Sequence, residues 1–82
     1  MLTSEIRGYA YAVAVTADAT ADNIKTAVGL QNTGTAGTVT IRQKDHADVV
    51  IALAQYQTIN CGRLWRGVKA VGAGVTIIGF FN

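Results

Sequence analysis

The final stretch of the chain, residues 63–82, limits the possible folds more than any other part. Two runs rich in β-branched and aromatic residues, 64–71 and 75–81, flank a Gly-Ala-Gly segment. This arrangement predicts a β-hairpin. Both alternate faces of the second run are apolar, whereas a strand with one face in water alternates apolar and polar residues. We therefore expect the last strand to be covered on both faces, by the core on one side and with another subunit as the candidate for the other.

Earlier stretches repeat with a period of two residues, which is typical of strands. Tyr and Val alternate with Ala over 8–16, and apolar residues alternate with small or polar ones over 24–31 and 38–43. The Gly-containing segment 32–37 joins the last two runs and predicts a second hairpin. The short apolar run 49–54 is interpreted as a strand because Val-Val-Ile leads it, with a helix after an Asp cap as the alternative.

Together these runs predict about six strands and no helix. The fold class that follows is all-β, a small antiparallel β-sandwich or barrel of jelly-roll-like form. We expect a single β-domain over 1–82, with 1–7 as a flexible N-terminal arm. The chain contains no proline, so its sheet edges must be protected by charge, bulges or partners.

The alternation also predicts where individual side chains lie. Val39 and Ile41 should point into the core. Tyr56 and Ile59 should fill the underside of the crossover that precedes the last two strands. His46 falls in a polar turn and is interpreted as a solvated loop histidine.

The composition favours an oligomer. A chain of 82 residues has a thin core, since it buries only about 60–65% of the surface that its unfolded form exposes. A single cysteine cannot form an intrachain disulfide. Charged residues make up 15% of the chain, against about 25% in ordinary soluble domains. Association is therefore the expected stabilising device, with a monomer rich in Gly, Ala and Thr as the alternative.

The residues of familiar catalytic sites are missing from the sequence. It has no paired carboxylates in an apolar setting, no Gly-x-Ser-x-Gly motif and no phosphate-binding loop. Asp18 and Asp22 lack the Gly and distal Glu of a calcium loop, and one His with one Cys cannot complete a zinc site. We predict a protein that is not an enzyme and has no catalytic, cofactor-binding or metal-binding residues.

Charge and hydropathy limit the classes of partner. A net charge of +2 is too weak to predict nucleic-acid binding. No run of about 18 apolar residues predicts a membrane span, and the first residues do not resemble a signal peptide. We expect synthesis in a reducing cytoplasm, with Cys61 as a small buried hydrophobic residue.

One cationic and aromatic cluster offers an alternative. Arg63, Trp65, Arg66 and Lys69 mix the side-chain types that line single-strand-binding grooves. The preferred interpretation places Trp65 in the core or an interface and the cations at the sheet edge. The reason is that the rest of the chain supplies no second strand of this kind.

Three segments, in their order and spacing, resemble a family of small virion proteins. They are the Thr/Asp-rich lead-in 15–22, the strand, Gly turn and strand over 26–40, and the closing segment 68–81 that ends in Phe-Phe. The family is the capsid-decoration or head spike-base β-domain of tailed phages and gene-transfer agents. Gly-Ala-Gly stands where that family has a Thr-rich segment, and the usual crossover proline is missing. The resemblance implies a virion surface protein without catalysis, at a capsid face, a vertex or a fibre base.

The resulting hypothesis is a capsid cement or decoration protein that stabilises a phage head. We expect a homotrimer on the outer head surface, assembled in the host cytoplasm and bound to the major capsid protein. Small residues at 10, 12 and 14 should allow close subunit approach. Contacts to other subunits or the capsid should involve five aromatic residues: Tyr9, Tyr11, Trp65, Phe80 and Phe81. The alternatives are a head spike or fibre-base adaptor and a carbohydrate-binding host-adhesion module.

Overall fold

The computed structural model describes residues 8–82, which form seven strands in two antiparallel sheets. In chain order the strands are β1 (Tyr11–Val15), β2 (Ala27–Asn32), β3 (Gly37–Gln43), β4 (His46–Leu53), β5 (Thr58–Asn60), β6 (Trp65–Val71) and β7 (Ile77–Phe81). Sheet A has the order β1-β7-β2-β5, and sheet B has the order β4-β3-β6. The predicted all-β fold, in the form of a small antiparallel sandwich, is confirmed. The predicted arm 1–7 lies outside the described residues.

Both predicted hairpins are wrong, because the strands on either side of each Gly-containing segment belong to different sheets. β2 and β7 lie in sheet A, whereas β3 and β6 lie in sheet B. The two connecting segments pair with each other: the N–H of Thr33 donates to the carbonyl of Thr76 at 2.8 Å, and that of Thr35 donates to Gly74 at 2.9 Å. A Cβ on Gly34 would overlap the Gly74 carbonyl oxygen. Glycine thus allows two connections to cross between the sheets side by side.

A hairpin does form between β3 and β4. Lys44 and Asp45 connect the two strands, and Gln43 lies opposite His46. Asp45 adopts a left-handed backbone conformation with φ of 58°, which Asp and Asn tolerate better than most residues. His46, predicted to lie inside a turn, is instead the exposed first residue of β4. The strand interpretation of the run 49–54 is confirmed, since β4 includes most of it.

The core lies between the sheets and consists of inward-facing aliphatic side chains. Val39 and Ile41, predicted to face inward, are fully buried. The role predicted for Tyr56 is wrong, because its side chain is 53% exposed on a turn with a φ of 63°. Ile59, in contrast, packs against the core. The buried cluster comprises Ile24, Leu30, Val39, Ile41, Leu53, Val68, Val75 and Ile77.

A buried asparagine holds the two crossing connections in place. Asn32, at the end of β2, is fully buried. Its Nδ2 donates to the carbonyl oxygens of Thr35 at 2.8 Å and Leu53 at 3.3 Å. Its Oδ1 accepts from the backbone N–H groups of Gly34 at 2.9 Å and Thr76 at 3.3 Å. One side chain therefore satisfies backbone groups from both connections and from the end of β4.

The connection from β1 to β2 runs along the edge of β6 and covers part of it. The N–H of Asp18 donates to the Val68 carbonyl at 3.0 Å, and that of Ile24 donates to Arg66 at 3.1 Å. The side-chain Oδ1 of Asn23 accepts from the N–H of Val68 at 2.8 Å. β1 and β6 therefore lie at one side of the sandwich, and their opposite edges, β5 and β4, lie at the other.

Replacing Asn32 by Ala should lower the free energy of unfolding by about 2–4 kcal/mol, because it leaves buried backbone donors and acceptors without partners. Urea denaturation followed by circular dichroism measures the change. The matched control Asn60→Ala removes an exposed amide at the end of β5, and should change the free energy of unfolding by less than about 0.5 kcal/mol. Equal effects of the two substitutions would contradict the role assigned to Asn32.

Candidate functional site

Charge is segregated between the two sheets. None of the four strands of sheet A contains a charged residue. Sheet B contains Arg42, Asp48, Arg66 and Lys69, and Lys69 Nζ lies 2.7 Å from Asp48 Oδ2. A sheet with one face in water normally places polar and charged residues on that face. Sheet A therefore has the composition of a surface that is covered, because charged residues are depleted where interfaces exclude water.

β1 forms one edge of this neutral sheet and has none of the usual devices that protect an edge. Among the described residues it pairs only with β7, in a register that runs from Tyr11 opposite Phe81 to Val15 opposite Ile77 without a bulge. Residues 8–16 contain neither a charge nor a proline. Within residues 8–82, no strand lies beside the outer edge of β1, so its backbone groups on that side can pair with a strand of another chain.

Two large side chains of β1 are exposed on the core-facing side of sheet A. Tyr11 and Val13 share that side with the buried Ile77 and Phe81, as the register shows. Nevertheless Tyr11 is 52% exposed and Val13 is 48% exposed. Sheet A has one strand more than sheet B, so β1 extends past the facing layer. Tyr11 and Val13 therefore form an exposed apolar surface, called the ledge below, beside the outer edge of β1.

Four of the five predicted contact residues come together around β1 and β7. The rings of Tyr9 and Phe80 meet edge to face with centroids 4.9 Å apart. The rings of Tyr11 and Phe81 stack with centroids 5.5 Å apart and an interplanar angle of 12°. Phe81 is only 7% exposed, so it supports Tyr11 and has little surface left for a second chain. The exposed part of this cluster belongs to the two tyrosines.

Trp65, the fifth predicted contact residue, lies in the other sheet. It begins β6 opposite Gln43 of β3. Its partly buried indole packs against the core, and a Cβ on Gly62 would lie within 3 Å of the ring. The structure therefore places Trp65 apart from the aromatic cluster of β1 and β7, in agreement with its interpretation as a core or interface residue.

The outer face of sheet A is apolar where β1 and β7 pair. Ala12 lies opposite Phe80, and Ala14 lies opposite Ile78. The two alanines are exposed, and the two larger side chains are half-buried. β7 was expected to be covered on both faces: the core covers its inner face, and its outer face remains half-exposed within the described chain. This outer face and the β1 edge form one continuous neutral surface.

The acidic residues considered for metal binding serve local contacts. Hydrogen bonds from Thr20, the first of them from its backbone N–H at 2.9 Å, hold the pKa of Asp18 below its usual value. The hydrogen bond from Arg42 does the same for the pKa of Asp22. Across residues 8–82, no group of three or more His, Cys, Asp or Glu side chains is placed to hold a metal ion.

Comparisons with known proteins do not extend this description. The chain matches no protein-family model, no curated protein and no solved structure. The resemblance to small virion proteins therefore stays a prediction. Within the part of the chain that the structure describes, no helix has the length and apolar character needed to cross a membrane.

Sequence reasoning identified the aromatic residues but missed the neutral sheet. The signal was present as long uncharged stretches, above all 8–17, 26–41 and 70–82. The strand order is needed to recognise them as one surface, because β1, β7 and β2 are neighbours in sheet A but distant in sequence. The predicted hairpins paired β2 with β3 and β6 with β7, so each of them mixed a neutral strand with a charged one.

Cys61 should react slowly with a thiol reagent in the native protein. Burial raises the pKa of its thiol to about 12, so little of the reactive thiolate forms at pH 8. Reaction with Ellman's reagent should be at least about a hundredfold slower in buffer than in denaturing urea. Native and unfolded rates within tenfold of each other would show that the thiol is accessible and ionised.

Proposed function

We propose that this chain is a non-enzymatic structural protein of a phage virion, a cement or decoration protein that stabilises the head. In this proposal it forms a homotrimer and binds the major capsid protein on the outer head surface. The main support is the uncharged sheet A with its unprotected β1 edge. The sequence resemblance to small virion proteins supplies the biological setting.

A sheet without charged residues suits a protein that functions by binding to other protein subunits. A strand added to the β1 edge continues the main-chain hydrogen bonding of the sheet and covers the ledge of Tyr11 and Val13. Apolar burial contributes about 25 cal/mol per Å² before the costs of association are subtracted. Since no charge has to be desolvated on sheet A, little of that contribution is lost. The charged side chains of sheet B lie outside this neutral surface and can remain in water.

A homotrimer requires two different contact surfaces on each subunit, because a threefold contact is head-to-tail. β1 lies at one side of the sandwich, and β4 forms a sheet edge at the other. Residues 49–53 of β4 are uncharged, and Val50, at 62%, is the most exposed large apolar residue of the described part of the chain. In the proposed ring, the β1 edge of one subunit meets the β4 side of the next.

A lysine at position 13 should prevent self-association. Val13→Lys places a charge at the middle of the β1 edge, where pairing with another chain would bury it. Sedimentation velocity should change from a trimer to the 8.6 kDa monomer, while circular dichroism stays the same. The control Ala19→Lys adds the same charge at an exposed site in the β1–β2 connection and should leave the trimer intact. Assembly of Val13→Lys like the unmodified chain would exclude β1 as the contact.

Copy number in purified particles tests the virion role. A decoration protein should be present in density-banded virions at a fixed, high ratio to the major capsid protein, measured by quantitative mass spectrometry. A few copies per particle would favour the fibre-base adaptor instead. Absence of the chain from intact particles would contradict both virion roles.

A host-adhesion module remains the second candidate, because the side chain of Tyr56 projects from a turn with 53% of its surface exposed. Exposed aromatic rings are the usual platform for sugars. Glycan-array binding that Tyr56→Ala abolishes would favour this role. An empty array would leave the structural role as the better account.

A further inference from the structure

A cationic cleft, separate from the neutral sheet, lies where β3, β6 and the β1–β2 connection meet. Its volume is about 430 Å³. It gathers four of the seven Lys and Arg residues of the chain. They come from three segments that are distant in sequence, which is why a scan of charge along the chain does not reveal them. The lining residues are Asp22, Lys25, Arg42, Gln43, Lys44, Asp45 and Arg66.

One of the two carboxylates that line the cleft already forms an ion pair within the chain. Asp22 forms an ion pair with Arg42, whose guanidinium also donates to the carbonyl oxygen of Ala21 at 2.9 Å. The buried Nε of Arg42 makes no hydrogen bond within the described residues. The Arg42–Asp22 pair therefore forms a neutral wall of the cleft.

The remaining charges of the cleft are mostly positive. Over residues 8–82, Lys25, Lys44 and Arg66 form no ion pair within 4.0 Å. Lys25 and Arg66 lie close enough to Asp22 to add to the lowering of its pKa, after the larger effect of Arg42. The one opposing charge is the carboxylate of Asp45 on the β3–β4 turn. Within the described residues, three cations without an ion-pair partner thus face a single acid.

We propose that this cleft binds a phosphate group. Three cations facing one carboxylate leave an excess of positive charge that attracts an anion. A phosphate group, free or in a phosphodiester, also offers several oxygen acceptors to these donors. Lysine ammonium groups act as point charges for phosphate, and the planar guanidinium of Arg66 can donate two parallel hydrogen bonds. Concave placement of these donors around one space strengthens their combined field on an anion.

An adjoining cavity indicates what can be attached to that phosphate. It has a volume of about 620 Å³, shares Gln43 with the cationic cleft, and is lined by Gly62, Arg63, Leu64 and Trp65. An aromatic ring next to a phosphate subsite is the arrangement that stacks a nucleobase. The phosphate can therefore be a free ion or a phosphodiester of a single-stranded nucleic acid, and binding experiments distinguish these sources.

In the sequence, no second cationic and aromatic strand accompanies Trp65, which is why a nucleic-acid role was not the preferred prediction. The fold supplies that missing element: Arg42 and Lys44 from β3 and its turn, and Lys25 from the β1–β2 connection, lie beside Arg66. The cationic surface is assembled across β3 and β6 rather than along one strand.

Fluorescence of the only tryptophan reports on binding, since Trp65 precedes Arg66 in the chain. The full-length protein is titrated in low-salt buffer with inorganic phosphate and, separately, with a twelve-residue oligothymidylate, while chloride at matched ionic strength corrects for salt. A saturable change is expected with at least one of the two. Heteronuclear NMR shifts at residues 25, 44 and 66 locate the binding independently of fluorescence.

Single substitutions test the location. Lys44→Gln and Lys25→Gln should each raise Kd about tenfold, because each removes a charged hydrogen-bond donor. Lys69→Gln is the matched control: it removes the same charge from the pair with Asp48 and should change Kd less than twofold. Asp45→Asn keeps a residue that tolerates left-handed backbone and removes the opposing charge, so it should tighten binding several-fold.

Binding of phosphate alone would support the proposal and assign a free anion as the ligand. Tighter binding of the oligonucleotide, with a steep loss of affinity as salt rises, would support it and assign a nucleic-acid phosphodiester. Absence of saturable binding by both ligands would overturn the proposal. So would equal losses of affinity in Lys44→Gln and Lys69→Gln, since binding would then depend on net charge rather than on this cleft.

Discussion

The fold depends on the amide of Asn32 more than on any other polar group. Two connections that cross between the sheets, the one after β2 and the one before β7, lie side by side at one end of the sandwich. The Asn32 side chain bonds to both segments and to the end of β4. Because buried polar groups must be paired, this one residue stabilises the two connections that take the chain from β2 to β3 and from β6 to β7.

The connections that cross between the sheets also determine how charged residues are distributed between sheet A and sheet B. Since each crossing sends consecutive strands to different sheets, the uncharged strands β1, β2, β5 and β7 collect in sheet A, and the charged strands collect in sheet B. A fold with local hairpins at the same places would have mixed them. The neutral sheet, its free β1 edge and the separate cationic cleft are therefore products of topology, and they give the small domain two chemically different surfaces.

The sequence predicted the elements better than their pairing. Period-two alternation identified β1, β2 and β3, and it placed Val39 and Ile41 correctly in the core. Gly-containing segments, however, indicate that the chain turns and do not say which strand becomes the neighbour. Asn32 was assigned to a turn as part of the Gly-containing segment 32–37, whereas its side chain bonds to Leu53 and Thr76, both distant in sequence. The cationic cleft could not be predicted from the sequence for the same reason, since Lys25, Lys44 and Arg66 come together only in the folded chain.

Amide hydrogen exchange of β1 in the unmodified chain tests most directly whether the neutral sheet is covered by association. The N–H groups of β1 that point away from β7 have no partner within the described residues of one subunit. The account predicts that they exchange nearly as slowly as the paired amides of β7 at assembling concentrations, and faster on dilution. Rapid exchange of these amides at every concentration, with β7 still protected, would contradict it.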